Sequence, residues 1–126
     1  MVSITRILCP VDLSDFSRDA LRHALALAEW YDAQVTVCHV YSAPQPLLPV
    51  TGMPGNAPLP PPVKPDEIAE HVRQFCASSF QESGKPIEIV VTEGNASKEI
   101  VLLAEQLPAD LLVLGTHGRS GFERLF

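Results

Sequence analysis

Two apolar rhythms alternate along this chain. Short runs dense in Val, Ile and Leu are separated by longer stretches whose apolar positions fall three and four apart. The first rhythm suits buried strands and the second suits amphipathic helices. Ile4 to Val11 forms the first compact run, with Pro10 at its end because proline donates nothing to a ladder. Ser14 then caps a helix that carries Asp15 and Asp19 in its first turns. Its stripe is Ala20, Leu21, Ala24, Leu27, Ala28 and Tyr31. Arg22 and His23 fall off that stripe and read as solvated, and Trp30 reads as a packing or surface-cover residue. Gln34 to Tyr41 is β-rich and forms a second strand. His39 within it reads as a satisfied core or sheet-edge histidine rather than a ligand.

The rhythm breaks between Ser42 and Pro65. Nine of the chain's twelve prolines lie there, together with Gly52 and Gly55. Proline at that density propagates neither helix nor sheet. The segment 42–65 is expected to be a long, disordered or partly extended loop. Periodicity resumes from Asp66 to Ser83, a helix with Asp66 as its cap and Ile68, Val72, Phe75, Cys76, Ser79 and Phe80 inward. A third strand spans Ile87 to Thr92. Asn95 caps a third helix with Ile100, Val101, Leu103, Ala104 and Leu107 inward. Leu111 to Leu114 then reads as a buried parallel strand.

Strand and helix alternate throughout, which implies an α/β fold, an open, doubly wound parallel sheet of Rossmann-like type. A length of 126 residues allows one core, so residues 1–126 are expected to be a single domain. In such sheets ligands bind beyond the carboxyl ends of the strands. Asp12, Val40-Tyr41 and Gly115 would all stand there. The net charge of −6 argues against a nucleic-acid backbone or an anionic membrane as partner. Cys9, Cys38 and Cys76 have no metal-like spacing. Two of them lie in apolar runs, so a reduced, cytoplasmic protein is expected. No apolar stretch is long enough to span a bilayer.

The last strand leads into Gly115-Thr116-His117-Gly118-Arg119-Ser120-Gly121. Three glycines in seven residues let a ligand approach the backbone. Successive N–H groups in such a turn suit an oxyanion, and Arg119 adds a fork that fits phosphate. By itself the run is equally a strand-ending turn with solvated tips.

At this point the sequence resembles the universal stress protein family over essentially its whole length. The resemblance rests on Ile7-Leu8-Cys9-Pro10-Val11-Asp12-Leu13-Ser14, on Val35 to Val40, on Glu93-Gly94-Asn95-Ala96, and most closely on Ala109 through Gly121. Two positions depart from the family's habit: Leu13 stands where Gly is common, and Ala96 where Pro is frequent. The resemblance implies strand order 3-2-1-4-5, the sheet of the wider adenine-nucleotide α-hydrolase group. In the nucleotide-binding branch it implies ATP, with any Mg held only through the phosphates. It places Pro10, Val11 and Asp12 on the adenosine side and the Val40 backbone on the adenine. Gly115, Thr116, His117, Gly118, Arg119, Ser120 and Gly121 border the phosphates. The family motif is Gly, two residues, Gly, nine residues, Gly, then Ser or Thr. Gly115 and Gly118 match its start, and its third glycine would be residue 128. The family's last strand and helix would also follow Phe126, so either a C-terminally truncated form or a tail missing from this sequence is expected. Two lost phosphate contacts would weaken binding by about 3–6 kcal/mol.

The function these features imply is an ATP-binding stress-response module, a homodimer in the full-length family form, with at most slow hydrolysis and no assigned catalytic residue. A nucleotide-free dimerisation module of the same fold is the alternative. An adenylating enzyme is disfavoured because Asp12-Leu13-Ser14 stands where a Ser-Gly-Gly phosphate loop would be. A phosphorelay receiver domain is disfavoured because Thr92-Glu93-Gly94 lacks the Asp it needs after the third strand.

Overall fold

The computed structural model describes residues 3–42, 64–83 and 86–115, without the side chains of 80–83. Within them the order is β1 (Arg6–Pro10), α1 (Asp15–Tyr31), β2 (Gln34–Tyr41), α2 (Pro65–Ser83), β3 (Ile87–Glu93), α3 (Ala96–Gln106) and β4 (Leu111–Leu112). The four strands form one parallel sheet in the order β3-β2-β1-β4. The doubly wound α/β class is therefore present, with β2 and β1 as its inner strands. Ile7 pairs with Val35 on one side and Leu111 on the other.

Side chains alternate across the pleat, so the sheet feeds two cores. Ile7 and Cys9 of β1, with Val11 just beyond it, join Val35 and Val37 of β2 beneath α1 and α2. Leu21, Ala24 and Ala28 of α1 and Val72 and Cys76 of α2 complete that core. Fully burying a residue such as Ile7 or Leu21 contributes about 1.5–3 kcal/mol. Arg18 ties the two helices together by laying its guanidinium over the Phe75 ring, 4.7 Å from the centroid. On the opposite face Leu8, Cys38 and Ile100 form a smaller core with Val40, Leu103 and Leu114 packed around it.

Several expected details are corrected. The α2 helix begins at Pro65, with Glu67 N–H bonding the Lys64 carbonyl, so Asp66 lies in the first turn rather than at the cap. Proline suits that first position because its missing N–H would have had no helical partner. Val101 is 53% exposed rather than inward, and Tyr31 and Trp30 are 40% and 83% exposed. The fourth strand is two residues long, and Leu112 is 41% exposed rather than buried. Among the described residues β4 stands at the sheet's edge, where only one side is covered. Val113 N–H still reaches the Leu8 carbonyl at 2.9 Å, which prolongs the pairing. The loop expected over 42–65 lies, from residue 43 to 63, outside the described residues. No helix of the described residues is long and apolar enough to cross a membrane.

Candidate functional site

The chain leaves β1 abruptly. Val11 N–H donates to the Cys38 carbonyl at 2.8 Å, the last backbone bond of that ladder. Asp12 then folds back on the turn it precedes. Its Oδ1 accepts from the backbone N–H of Ser14 at 3.0 Å and from the Ser14 hydroxyl. Leu13 between them is left-handed, with φ 67°. This accounts physically for glycine being common at that place in the family, since only glycine adopts such a backbone without strain. Ser14 is the expected cap: its Oγ accepts from Ser17 N–H at 3.2 Å, and Ser17 Oγ returns a bond to the Ser14 carbonyl at 2.9 Å.

The other wall comes from the end of β4. Gly115 lies directly against the first turn of α1. A Cβ built on it would stand 3.1 Å from the Phe16 carbonyl oxygen and 3.2 Å from the carbonyl carbon. Backbone cannot yield as a flexible side chain can, so this glycine is set by close approach. The crevice between the ends of β1 and β4 is also where the strand order reverses, since β2 and β3 build one way from β1 and β4 the other.

The third contribution is β2. Cys38 turns its carbonyl toward β1, and Tyr41 turns its carbonyl toward β3, where it accepts from Gly94 N–H at 2.9 Å. Ladder alternation therefore aims the Val40 N–H and carbonyl at the β1 side, beyond the point where β1 has ended. The Val40 side chain packs into the smaller core. Pro10 and Val11 have buried side chains, so only their backbone groups face the crevice. His39 bridges the gap: its Nδ1 is 2.8 Å from the Val11 carbonyl oxygen. A carbonyl only accepts, so Nδ1 carries the proton.

Charge sorts the crevice. Asp12 and Asp15 sit at the positive end of α1, where they already complement the helix dipole. An acceptor carboxylate there suits the hydroxyl or amino donors of a sugar or base, not a phosphate. Three thiols lie close to this framework and are inert. Burial pushes Cys38 up to about 12 and Cys76 up to about 11, the nearby Arg18 opposing it slightly at Cys76. Burial, reinforced by the other two thiols, raises Cys9 as well.

Of the residues expected at the site, Pro10, Val11, Asp12, Val40 and Gly115 gather at the carboxyl end of the sheet. Thr116, His117, Gly118, Arg119, Ser120 and Gly121 lie outside the described residues. Sequence reasoning found His39 to be a satisfied histidine but not what satisfies it. The partner is 28 positions away, and only strand register brings it near.

The chain matches the universal stress protein family model over residues 3–126. It is 34% identical to universal stress protein MJ0531 of Methanocaldococcus jannaschii over 122 residues, 95% of this chain and 69% of that protein. Among solved structures it resembles UspA from Lactobacillus plantarum, with TM-score 0.68 and 23% identity, covering 96% of this chain and 83% of that one. It also resembles the universal stress protein from Archaeoglobus fulgidus in complex with dAMP. There the TM-score is 0.59 and the identity 23%, covering 90% of this chain and 82% of the other. At such identities the structural likeness speaks to the fold alone.

Proposed function

The chain belongs to the universal stress protein family, and from that premise we propose that it is an adenine-nucleotide-binding stress-response module that takes ATP. It would act in the cytoplasm, as a homodimer, through nucleotide-dependent contacts rather than through turnover. The observation that carries this reading is the close approach of Gly115 to the first turn of α1, the helix that the Asp12 turn leads into, at the strand-order reversal. In this reading the Asp12 carboxylate takes ribose hydroxyls. The Val40 N–H and carbonyl take the adenine edge, and Pro10 and Val11 offer backbone. Gly115 opens the phosphate loop that Thr116, His117, Gly118, Arg119, Ser120 and Gly121 continue. Residues 1–126 then serve as one domain. The dAMP held by the Archaeoglobus fulgidus protein supports the adenine class of ligand.

The test is a calorimetric titration of the 126-residue chain with Mg-ATP. Micromolar binding that is lost in Gly118→Val supports the reading. If this chain gives neither heat nor thermal shift, the titration is repeated on a chain extended through residue 129 with Leu-Gly-Ser: binding there assigns the loss to the missing phosphate contacts, and no binding there rejects the reading in favour of a nucleotide-free dimerisation module.

A further inference from the structure

His39 stands at the join between the end of the sheet and the crevice. It follows Val35 and Val37 on the face of β2 that α1 and α2 cover, where those two residues are fully buried and apolar. The third position in the series is instead an imidazole, half-buried, with Nδ1–H on the Val11 carbonyl. Val11 is where β1 stops: its N–H makes the last ladder bond, to Cys38. In a continued parallel ladder its carbonyl would next receive the Val40 N–H. The imidazole takes that acceptor instead.

We propose that His39 is a positioning residue for base recognition: by holding the Val11 carbonyl it ends the β1–β2 ladder one step early and leaves the Val40 backbone edge facing the ligand. This rests on the nucleotide reading above. The same bond fixes the carbonyl of the residue just before Asp12, so the base edge and the ribose carboxylate are set by one side chain. The selectivity follows from chemistry. An adjacent N–H and C=O on one residue match an adjacent acceptor and donor, which the Watson–Crick edge of adenine presents. The edge of guanine offers the reverse polarity at those atoms. Orientation of that peptide edge therefore decides adenine over guanine.

Asn and Gln separate the geometry from mere polarity. The amide of Asn reaches where Nδ1 sits, and that of Gln reaches toward Nε2. Affinities for ATP, GTP and inorganic triphosphate are measured by calorimetry on wild type, His39→Asn and His39→Gln. The expected result is a wild-type preference for ATP over GTP that His39→Asn keeps. In His39→Gln the ATP affinity should fall about tenfold, as for one lost hydrogen bond, and the preference should fall with it. Triphosphate affinity should stay level in all three, which a general loosening of the fold would not allow. An amide resonance of Val40 that shifts with ATP and not with triphosphate is the matching spectroscopic sign. The inference is overturned if wild type binds ATP and His39→Gln retains both its affinity and its preference, or if wild type shows no preference at all. If neither the wild-type chain nor the same chain extended through residue 129 with Leu-Gly-Ser binds any of the three ligands, the nucleotide reading falls, and this inference with it.

Discussion

Gly115 and Phe16 meet backbone to backbone, so that any side chain at position 115 would press within 3.1 Å of the Phe16 carbonyl oxygen. One residue ends β4's approach and the other lies in the first turn of α1. Their contact sets the width of the crevice. Gly115→Ala should therefore destabilise the chain by about 1–3 kcal/mol, the usual cost of overpacking. It should also displace the turn that Ser14 caps. Urea unfolding reads the first effect, and amide shifts at Ser14 to Ser17 read the second. Wild-type stability in Gly115→Ala would mean that the two backbones are not held against each other.

Leu13 predicts an inverted mutational order. Its left-handed backbone costs about 1–2 kcal/mol, while its half-buried side chain packs against the larger core. Leu13→Ala loses the packing and keeps the strain. Leu13→Gly loses the packing and releases the strain. The glycine variant should therefore be the more stable of the two by about 1 kcal/mol. In ordinary loop positions with negative φ the order is the opposite, and finding that order in chemical denaturation would refute the strain.

The thiols predict an alkaline limb. Cys38 and Cys76 titrate at about 12 and about 11 in the folded chain because burial disfavours the thiolate. A raised thiol pKa means that the folded state holds its proton more tightly. The contribution is complete below the unfolded thiol value and is lost as pH climbs through the folded values. Stability should fall from about pH 9 upward, and a triple Cys→Ala variant should show less of that fall. At pH 8 a thiol reagent should label the native chain slowly and the urea-unfolded chain at once. Rapid labelling of the native chain contradicts the burial of all three.

Asp110 predicts an acid limb of opposite sign. Its Oδ2 accepts from Thr5 N–H at 2.8 Å, from Thr5 Oγ1 at 2.9 Å and from Arg6 N–H at 3.1 Å. The Thr5 backbone bond, then the hydroxyl, then Arg6 N–H lower its pKa. A depressed carboxyl contributes stability above its unfolded value, and that stability is lost as pH falls through the folded value. Asp110→Asn keeps an acceptor oxygen but cannot titrate. Its urea midpoint should therefore vary less with pH below about 4 than that of wild type. Parallel acid limbs for the two proteins would remove Asp110 from the account.

Local chemistry was the most legible part of the chain. Ser14 and Asn95 were readable as caps because capping is settled within three residues, and both side chains accept from the third residue on. The bounds of β2, Gln34–Tyr41, followed from its own composition. Periodicity also identifies the apolar face of a helix, but it does not say how much of that face is covered. Val101 and Leu112 are apolar residues in apolar company, yet both are exposed, because cover comes from elements far away in sequence. The candidate site divides in the same way. Asp12 and Gly115 carry local signatures, a carboxylate before a cap and a glycine after a strand. The His39 bond to Val11 and the approach of Phe16 to Gly115 arise only once strands are in register.

The pairing of β1 with β4 also bears on when the crevice exists. Thr5 and Asp110 are 105 positions apart, and their clamp lies at the start of the two strands that end in Val11-Asp12 and Gly115. Local structure such as the Ser14 cap forms at little entropic cost, whereas this closure joins residues 105 positions apart. A chain growing from its N-terminus thus owns one wall of the crevice early and gains the other only once Gly115 has been made. Occupancy of the proposed site would in that sense be an inspection mark: a ligand seated between Asp12 and Gly115 would certify that the longest-range strand pairing among the described residues has been made.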